Sequence, residues 1–194
     1  NGQILSMVGS RDYFDKEIDG NFNVALAHRQ PGSSFKPFVY ATAFAKGWTP
    51  ESVLFDTPTE FNPSCSAYGK PVVKGANCYM PDDYDTNYRG PMTLRLALGE
   101  SRNIPAVKLL YLTSIADSLK TAKDFGIRTL TNPDQYGLTL VLGGGEVSLM
   151  DMTSAYGVFA NSGLKVPVQK ILKIEDKDGN ILEEAPKDDM ISGD

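Results

Sequence analysis

The sequence has little that would suit a metal site, a nucleic-acid surface or a membrane span. Among 194 residues there are one histidine, His28, and two cysteines, Cys65 and Cys78, too few to complete a typical four-ligand zinc site. The formal net charge is −5, whereas nucleic acids and anionic membranes bind basic surfaces. No apolar run approaches the roughly 18 residues that span a bilayer. We therefore expect no nucleic-acid partner, and we expect any membrane anchor to lie outside this chain.

The two cysteines lie in a long irregular segment, residues 48–92, that is rich in proline and glycine. Neither belongs to a C-x-x-C pair. They are either two unrelated buried thiols or one disulfide of a secreted domain. Their positions in the sequence do not decide between these alternatives.

The hydrophobic pattern predicts an α+β domain of ordinary size. Apolar residues recur at helical spacing in five segments, residues 33–46, 93–98, 105–113, 115–125 and 148–161. A strand is predicted at residues 3–8, and a hairpin is predicted at residues 168–184 around an Asp-Gly turn. After an N-terminal cap at Ser148, we expect the apolar face of the last helix to contain Leu149, Met152, Tyr156 and Phe159.

The sharpest local feature is the S-x-x-K spacing of Ser33 and Lys36. On a helix, residues i and i+3 share a face, so the lysine amine can reach the serine hydroxyl. A serine hydroxyl is a weak nucleophile until a neighbouring base takes its proton. Lysine is such a base only when burial or nearby positive charge lowers its pKa. The alternative is a capped helix with a solvated lysine, because this spacing often arises by chance.

A second feature is the tripeptide Ser101-Arg102-Asn103, which lies between two predicted helices. A short polar connection of this kind can point a hydroxyl and an amide into a cleft. Serine and asparagine are also ordinary helix caps, so a purely structural role is the alternative for this segment.

S-x-x-K followed by S-x-N resembles the pattern of penicillin-recognising serine enzymes. Four segments are similar to penicillin-binding protein transpeptidase domains, namely NGQILSMVG at 1–9, RQPGSSFKPFV at 29–39, LALGESRNIPAV at 96–107 and LGGGEVSLMDMTSAYGVFANSG at 142–163. The similarity spans nearly the whole chain and is greatest to the bifunctional class A members. It implies an α+β fold in which a helical subdomain packs on an antiparallel sheet.

The resemblance implies an acyl transfer and assigns a role to each of four residues. Ser33 resembles the nucleophile that a D-alanyl-D-alanine stem peptide acylates, and Lys36 resembles the base for that step. Ser101 resembles the residue that relays a proton toward the leaving D-alanine, and Asn103 resembles a donor to the substrate backbone. The amine of a second stem then forms the cross-link, and β-lactams acylate Ser33. No metal or organic cofactor is implied.

One family motif is missing, because residues 1–194 contain no K-T-G or K-S-G. In the family this motif lies on a strand that forms one wall of the cleft and supplies an oxyanion-hole amide. We therefore expect residues 1–194 to be a partial transpeptidase domain that lacks the C-terminal K-T/S-G strand region. On its own, such a chain is expected to acylate poorly.

The resemblance also implies partners and a location. The expected partners are the peptidoglycan stem peptide, an acceptor amine, β-lactam antibiotics, the missing part of the same domain and a glycosyltransferase domain in the parent protein. The expected location is the extracytoplasmic face of the bacterial cell membrane. In that compartment we expect Cys65 and Cys78 to lie close enough to bond.

Two alternatives of other classes remain open. A serine β-lactamase typically carries a glutamate in an E-x-x-L-N segment after S-x-N, and no such segment follows Asn103. A β-lactam-sensing or scaffold domain would retain Ser33 without cross-linking peptides. Penicillin turnover tests the first alternative, and a cross-linking assay with donor and acceptor peptides tests the second.

Three other features receive structural interpretations. His28 is expected to be a packed or surface histidine, because Lys36 already fills the role of base. The glycine run 143–145 lacks the Lys-Ser/Thr that completes a phosphate loop and instead predicts a tight turn. A solvated acidic loop without EF-hand spacing is predicted at Asp82, Asp83 and Asp85.

Overall fold

A computed structural model describes residues 2–185 and confirms the α+β class. Within these residues there are five α-helices, namely α1 (Lys36–Ala45), α2 (Leu94–Gly99), α3 (Asn103–Thr113), α4 (Ile115–Phe125) and α5 (Leu149–Ala160). Six short strands pair as three antiparallel two-stranded sheets, β1 (His28–Arg29) with β4 (Val147–Ser148), β2 (Val53–Asp56) with β3 (Gly90–Thr93), and β5 (Lys173–Glu175) with β6 (Ile181–Glu184). The helix predictions are confirmed, although α3 begins two residues earlier than predicted. None of these helices is long and apolar enough to cross a membrane.

The described residues form two compact units. The helical unit comprises residues 30–121 and 131–145, and the terminal unit comprises residues 2–29, 122–130 and 146–185. The core of the helical unit lies between α1, α3 and a 3-10 helix at Leu138–Leu142. Its buried side chains include Phe35, Phe38, Val39, Ile104, Leu109, Leu110, Leu140 and Val141. Because each large apolar side chain stabilises by roughly 1.5–3 kcal/mol when fully buried, this core fixes the helices that carry both polar motifs.

Helix α1 begins from a 3-10 turn at Gly32–Phe35, so the helix predicted at residues 33–46 has a tighter first turn than an α-helix. Pro37 occupies the first turn of α1, where its missing amide hydrogen removes no helical hydrogen bond. Gly47 follows the helix in a left-handed conformation with φ of +92°, as is common just after a helix end.

The hairpin of β2 and β3 pairs Val53 with Thr93 and Asp56 with Gly90. Thr93 then caps α2, because its side chain accepts a hydrogen bond from the Leu96 amide at 3.3 Å. The chain therefore passes directly from this hairpin into the two helices that flank the S-x-N tripeptide.

The irregular segment between β2 and β3 contains a disulfide between Cys65 and Cys78. Their Cα atoms lie 5.7 Å apart, within the usual range for bonded cysteines. The expectation that these residues lie close enough to bond is confirmed, and the alternative of two unrelated thiols is wrong.

The strand predicted at residues 3–8 in the terminal unit does not form. Gln3 makes one isolated parallel bridge with Gln169, and no other residue of this segment joins a strand within residues 2–185. Leu5 and Val8 are 90% and 72% exposed. The strand prediction is therefore wrong, because a strand requires a neighbouring chain for its hydrogen bonds and within residues 2–185 only Gln3 has a bridge partner.

Helix α5 starts as predicted, with the Ser148 hydroxyl accepting a hydrogen bond from the Asp151 amide at 3.0 Å. The predicted apolar face is wrong in part. The buried residues of α5 are Met152, Ala155 and Val158. The side chains that lie at the edge of this face, between 39% and 61% exposed, are Leu149, Tyr156 and Phe159. Large side chains dominated the sequence pattern, whereas the small Ala155 lies where the helix is most closely packed.

The hairpin predicted at residues 168–184 is confirmed by β5 and β6. The Asp176 carboxylate accepts the backbone amides of Asp178 at 2.8 Å and Asn180 at 2.9 Å. Gly179 has a φ of +84°, a conformation that glycine adopts without the steric cost of a side chain. The turn chemistry of the sequence therefore fixes this hairpin.

Candidate active site

Lys36 connects the two polar motifs of the sequence. Its side chain is only 1% exposed, and its Nζ donates hydrogen bonds to three acceptors. These are the Ser101 carbonyl oxygen at 2.6 Å, the Ser101 Oγ at 3.2 Å and the Asn103 Oδ1 at 2.8 Å. The helical unit therefore brings Lys36 together with Ser101 and Asn103, which lie more than 60 residues further along the sequence. A solvated lysine, the alternative considered for Lys36, is wrong.

Ser33 lies on the 3-10 turn that leads into α1, three residues before Lys36. Its side chain is exposed, and within residues 2–185 its hydroxyl has no hydrogen-bond partner. The neighbouring Ser34 differs, because its hydroxyl donates to the Pro31 carbonyl oxygen at 2.6 Å. Of the two adjacent serines, Ser33 is the one whose hydroxyl is open to an incoming ligand.

The environment of Lys36 lowers its pKa from 10.5 to about 8. Burial is the largest cause, because desolvation disfavours the ammonium form. The negative charge of Asp83 opposes this effect and raises the pKa, and the positive charge of Arg102 lowers it. With this pKa, about a tenth of the lysine side chains are neutral at pH 7, and a neutral amine can accept a proton.

Ser101 occupies a strained corner between α2 and α3. Its φ is +53°, a left-handed conformation in which glycine is usually found after a helix. The Arg102 amide donates to the Ala97 carbonyl at 2.9 Å and the Ser101 amide donates to the Leu98 carbonyl at 3.0 Å. These two bonds close α2 and turn the chain so that the Ser101 carbonyl and hydroxyl both face Lys36.

The amide group of Asn103 is oriented from both sides. Its Nδ2 donates to the Asp82 carbonyl oxygen at 2.9 Å, and its Oδ1 accepts from Lys36. Its backbone amide donates to the Asp83 carboxylate at 2.5 Å. The first residue of α3 is therefore held by the acidic segment as well as by the helix itself.

Asp83 corrects the prediction that Asp82, Asp83 and Asp85 form a solvated loop. The side chain of Asp83 is 3% exposed, and it lies 3.2 Å from a guanidinium nitrogen of Arg102, which is also buried. Two separate segments of sequence bury their charges against each other here. A local pattern of acidic residues does not reveal such a distant partner.

The glycine run 143–145 forms a tight turn, as predicted. Gly143 ends the 3-10 helix Leu138–Leu142 with a φ of +87°, and it packs on the backbone of Gly32. His28 lies in β1 of the terminal unit. Glu60, Cys65 and Cys78 place potential metal-ligand atoms within 4.8 Å of one another, but the two sulfur atoms are bonded to each other and so are not thiolate ligands.

Comparison with known proteins identifies the family. The profile of the penicillin binding protein transpeptidase domain matches residues 1–192. The chain belongs to this family. Penicillin-binding protein 1A of Neisseria meningitidis serogroup B is 36% identical to this transpeptidase sequence over 183 residues, which are 93% of the chain and 21% of that protein. Penicillin-binding protein 1A of Rickettsia bellii is 32% identical over 181 residues.

Solved structures of penicillin-binding proteins have the same fold. Penicillin-binding protein 1A from Haemophilus influenzae matches with a TM-score of 0.72 and 34% identity, over 86% of this chain and 23% of that chain. PonA1 from Mycobacterium tuberculosis also matches with a TM-score of 0.72, at 24% identity, over 89% of this chain and 44% of that one. The chain spans about a fifth of the length of the curated penicillin-binding proteins that it matches.

Sequence reasoning predicted Lys36, Ser101 and Asn103, which the structure brings together, but it missed the residues that support them. Arg102 is the unspecified middle residue of S-x-N, yet its side chain is fully buried. Asp56, Asp83 and Asp85 surround it. An arginine between two motif residues and an acidic run upstream are the only sequence signals that bear on this cluster, and neither segment identifies the other as its partner.

Proposed function

We propose that this chain carries the nucleophile side of a serine D,D-transpeptidase that cross-links peptidoglycan stem peptides. The observation that supports this most directly is the buried Lys36, whose ammonium group is bonded to Ser101 and Asn103 one turn from the exposed Ser33 hydroxyl. A serine one helical turn from a buried lysine of lowered pKa is an arrangement that can activate the hydroxyl for acyl transfer.

In the proposed reaction, the neutral Lys36 amine takes the Ser33 proton as Ser33 Oγ attacks the carbonyl of the D-alanyl-D-alanine bond. The amine can continue to donate to the Ser101 carbonyl and to Asn103 Oδ1 while its lone pair accepts the proton. The tetrahedral intermediate then collapses, the peptide bond breaks, and the proton reaches the leaving D-alanine amine through the Ser101 hydroxyl. An ester between Ser33 and the donor peptide remains.

The amine of a second stem peptide attacks this ester, which forms the cross-link and releases Ser33. Water as the acceptor would give a carboxypeptidase instead. Asn103 is proposed to donate from its amide to the donor peptide backbone, which requires that Nδ2 exchange its bond with the Asp82 carbonyl for one with substrate. The Ser33 backbone amide is proposed to contribute to the oxyanion hole.

Other parts of the protein are proposed to complete the site. Residues 1–194 contain no K-T-G or K-S-G, and we propose that the same protein supplies this strand in further residues. The relatives named penicillin-binding protein 1A support β-lactam antibiotics as covalent ligands of Ser33. The proposed location is the extracytoplasmic face of the bacterial membrane, with a glycosyltransferase domain in the same protein.

The test is to expose the full-length protein to penicillin and to measure its mass. The unaltered protein is expected to gain one penicilloyl group, and Ser33→Ala is expected to gain none. Ser34→Ala is the matched control, because it removes the adjacent hydroxyl that is bonded to Pro31, and it should still be labelled. An adduct that persists on Ser33→Ala would exclude Ser33 as the nucleophile.

Two further measurements separate the alternatives. Rapid hydrolysis of penicillin by the unaltered protein would favour a β-lactamase. Failure to join donor and acceptor stem peptides, despite penicillin labelling of Ser33, would favour a sensing or scaffold domain. The transpeptidase predicts slow penicillin release together with cross-linked product.

A further inference from the structure

The buried Arg102 side chain makes polar contacts with four other residues of the helical unit. Its Nε and Nη2 both lie 3.0 Å from Asp56 Oδ2, and its Nη1 lies 2.9 Å from Asp85 Oδ1. Nη2 also lies 3.2 Å from Asp83 Oδ2 and donates to the Asn87 carbonyl oxygen. The planar guanidinium thus binds three carboxylates and a backbone carbonyl, a geometry that lysine does not reproduce.

Stability alone does not account for this cluster. Removing charges from water is costly, and replacing a buried ion pair by apolar residues is often neutral or stabilising. Arg102 is 0% exposed, and so is Asp56. Because Arg102 lies between Ser101 and Asn103, we infer that the cluster fixes the positions of these two residues.

Three structural features link the cluster to the active site. Asp83 forms an ion pair with Arg102 through Oδ2, without a hydrogen bond, and accepts a hydrogen bond from the Asn103 backbone amide through Oδ1. Asp82, the preceding residue, binds the Asn103 side chain. Ser101, on the other side of Arg102, keeps an unfavourable left-handed φ of +53°, and such strain persists only when the surroundings fix it. Movement of the guanidinium would therefore displace both neighbours.

We propose that Arg102 is a positioning residue for acylation, because its guanidinium, bound by Asp56, Asp83 and Asp85, holds Ser101 and Asn103 where they bind Lys36. The proposal rests on the function proposed above for Ser33 and Lys36. Within residues 2–185, the polar contacts of the Arg102 side chain are with Asp56, Asp83, Asp85 and the Asn87 carbonyl, and none is with Ser33. It acts by fixing the corner from which the Ser101 carbonyl, the Ser101 hydroxyl and Asn103 Oδ1 reach the amine.

The cluster also acts on Lys36 through charge. The two charged side chains that influence its pKa are Asp83, which raises it, and Arg102, which lowers it. Burial is the largest influence on the pKa of Lys36, and the charges of Asp83 and Arg102 adjust that pKa in opposite directions. This gives the proposal a pH-dependent readout that a purely structural role would lack.

The first test measures fluorescent-penicillin acylation of the full-length protein from pH 6 to pH 10, per folded molecule. Arg102→Lys keeps the positive charge but loses the planar guanidinium group with its several N–H donors. The limiting acylation rate of this variant at high pH is expected to fall at least about tenfold. Arg95→Lys is the matched control, because Arg95 also places two nitrogens on one carboxylate oxygen, that of Glu51, on the surface. The control is expected to keep the unaltered rate.

The second test uses Asp83→Asn, which keeps an oxygen for the Asn103 amide and also serves if Arg102→Lys does not fold. Loss of the negative charge should lower the pKa of Lys36 and move the midpoint of the acylation profile to lower pH. The proposal is overturned if Arg102→Lys acylates within twofold of the unaltered protein, or if the Asp83→Asn midpoint does not move. If the unaltered protein is not acylated either, the function proposed for Ser33 and Lys36 is wrong. That outcome differs from one in which the unaltered protein is acylated and the Arg102 or Asp83 variant gives an unexpected result.

Discussion

Gly143 packs directly on the backbone of Gly32, the residue before Ser33. A Cβ atom on Gly143 would lie 2.1 Å from the Gly32 nitrogen and 2.4 Å from its Cα. The φ of Gly143 is +87°, which side chains also disfavour. The glycine run thus serves as a backbone support for the turn that presents Ser33.

The first prediction is that Gly143→Ala destabilises the protein and slows acylation of Ser33. The added methyl must displace the Gly32 backbone, and overpacking together with a strained φ is expected to cost at least about 2 kcal/mol. Urea unfolding measures the free energy of unfolding, and fluorescent-penicillin labelling measures the acylation rate.

Gly99→Ala is the control for this prediction. Gly99 ends α2, and a Cβ atom there would meet nothing within 4 Å. Alanine at that position is expected to be neutral or to stabilise by up to about 1 kcal/mol. If Gly143→Ala were as stable and as reactive as the unaltered protein, the contact with Gly32 would have no role in placing Ser33.

The second prediction concerns the pH dependence of acylation. Lys36 acts as a base only when neutral, so the acylation rate should rise with pH and reach half its limit near pH 8, where the pKa of Lys36 lies. Lys36→Ala should lower the rate by on the order of 100-fold or more, because nucleophile and base act as a unit. Stopped-flow acylation across pH 6–10 is the measurement.

Lys46 provides the matched control, because it follows the last residue of α1 and pairs with Asp117 at a partly exposed site. Lys46→Ala is expected to leave the midpoint and the limiting rate unchanged. A midpoint near pH 10.5, the ordinary value for lysine, would mean that burial does not tune Lys36 for this role.

The sequence was sufficient to propose the candidate site residues because their spacing is local, and their roles stay predictions. Ser33 and Lys36 lie three residues apart, and Ser101 and Asn103 flank a single residue. Helical periodicity likewise predicted the helices, since each is a local pattern. The resemblance to a family then assigned both motifs to one reaction, and the structure shows that Lys36 Nζ binds both Ser101 and Asn103.

What the sequence did not predict depends on distant partners. Arg102 binds Asp56, which is 46 residues away along the chain, and each looks like an ordinary surface charge in its own segment. Similarly, Gln3 is the only residue of the expected strand at 3–8 that bridges to another residue within 2–185. Burial and pairing of this kind follow from tertiary structure, so a local pattern leaves them undetermined.

The third prediction is that the disulfide stabilises the segment between β2 and β3. Replacing both Cys65 and Cys78 by serine opens a covalent loop with a sequence separation of 13. In the chain-entropy model this should lower the free energy of unfolding by roughly 3 kcal/mol. Thermal and urea unfolding of the oxidised and double-serine proteins measure the difference.

The same loop contains Glu60, whose Oε1 accepts the backbone amides of Asn62 and Tyr79, both at 2.8 Å. These two bonds remain when the disulfide is removed, so the double-serine protein is expected to fold. Equal unfolding free energies for the two proteins would show that these hydrogen bonds alone hold the loop. In that case the disulfide would be dispensable.

The last prediction separates backbone strain from chemistry at Ser101. Because its φ is +53° at a position where helices usually place glycine, Ser101→Gly should relieve strain and raise the free energy of unfolding by up to about 1 kcal/mol. The same change removes the hydroxyl beside Lys36 Nζ, so acylation should slow by on the order of 100-fold. Ser162, exposed and with a φ of +56°, offers the control: Ser162→Gly should gain similar stability and keep the acylation rate. A Ser101→Gly protein that is less stable and equally reactive would mean that the hydroxyl serves the fold. Gain of stability with loss of reaction would instead mean that the strained serine is kept for its hydroxyl.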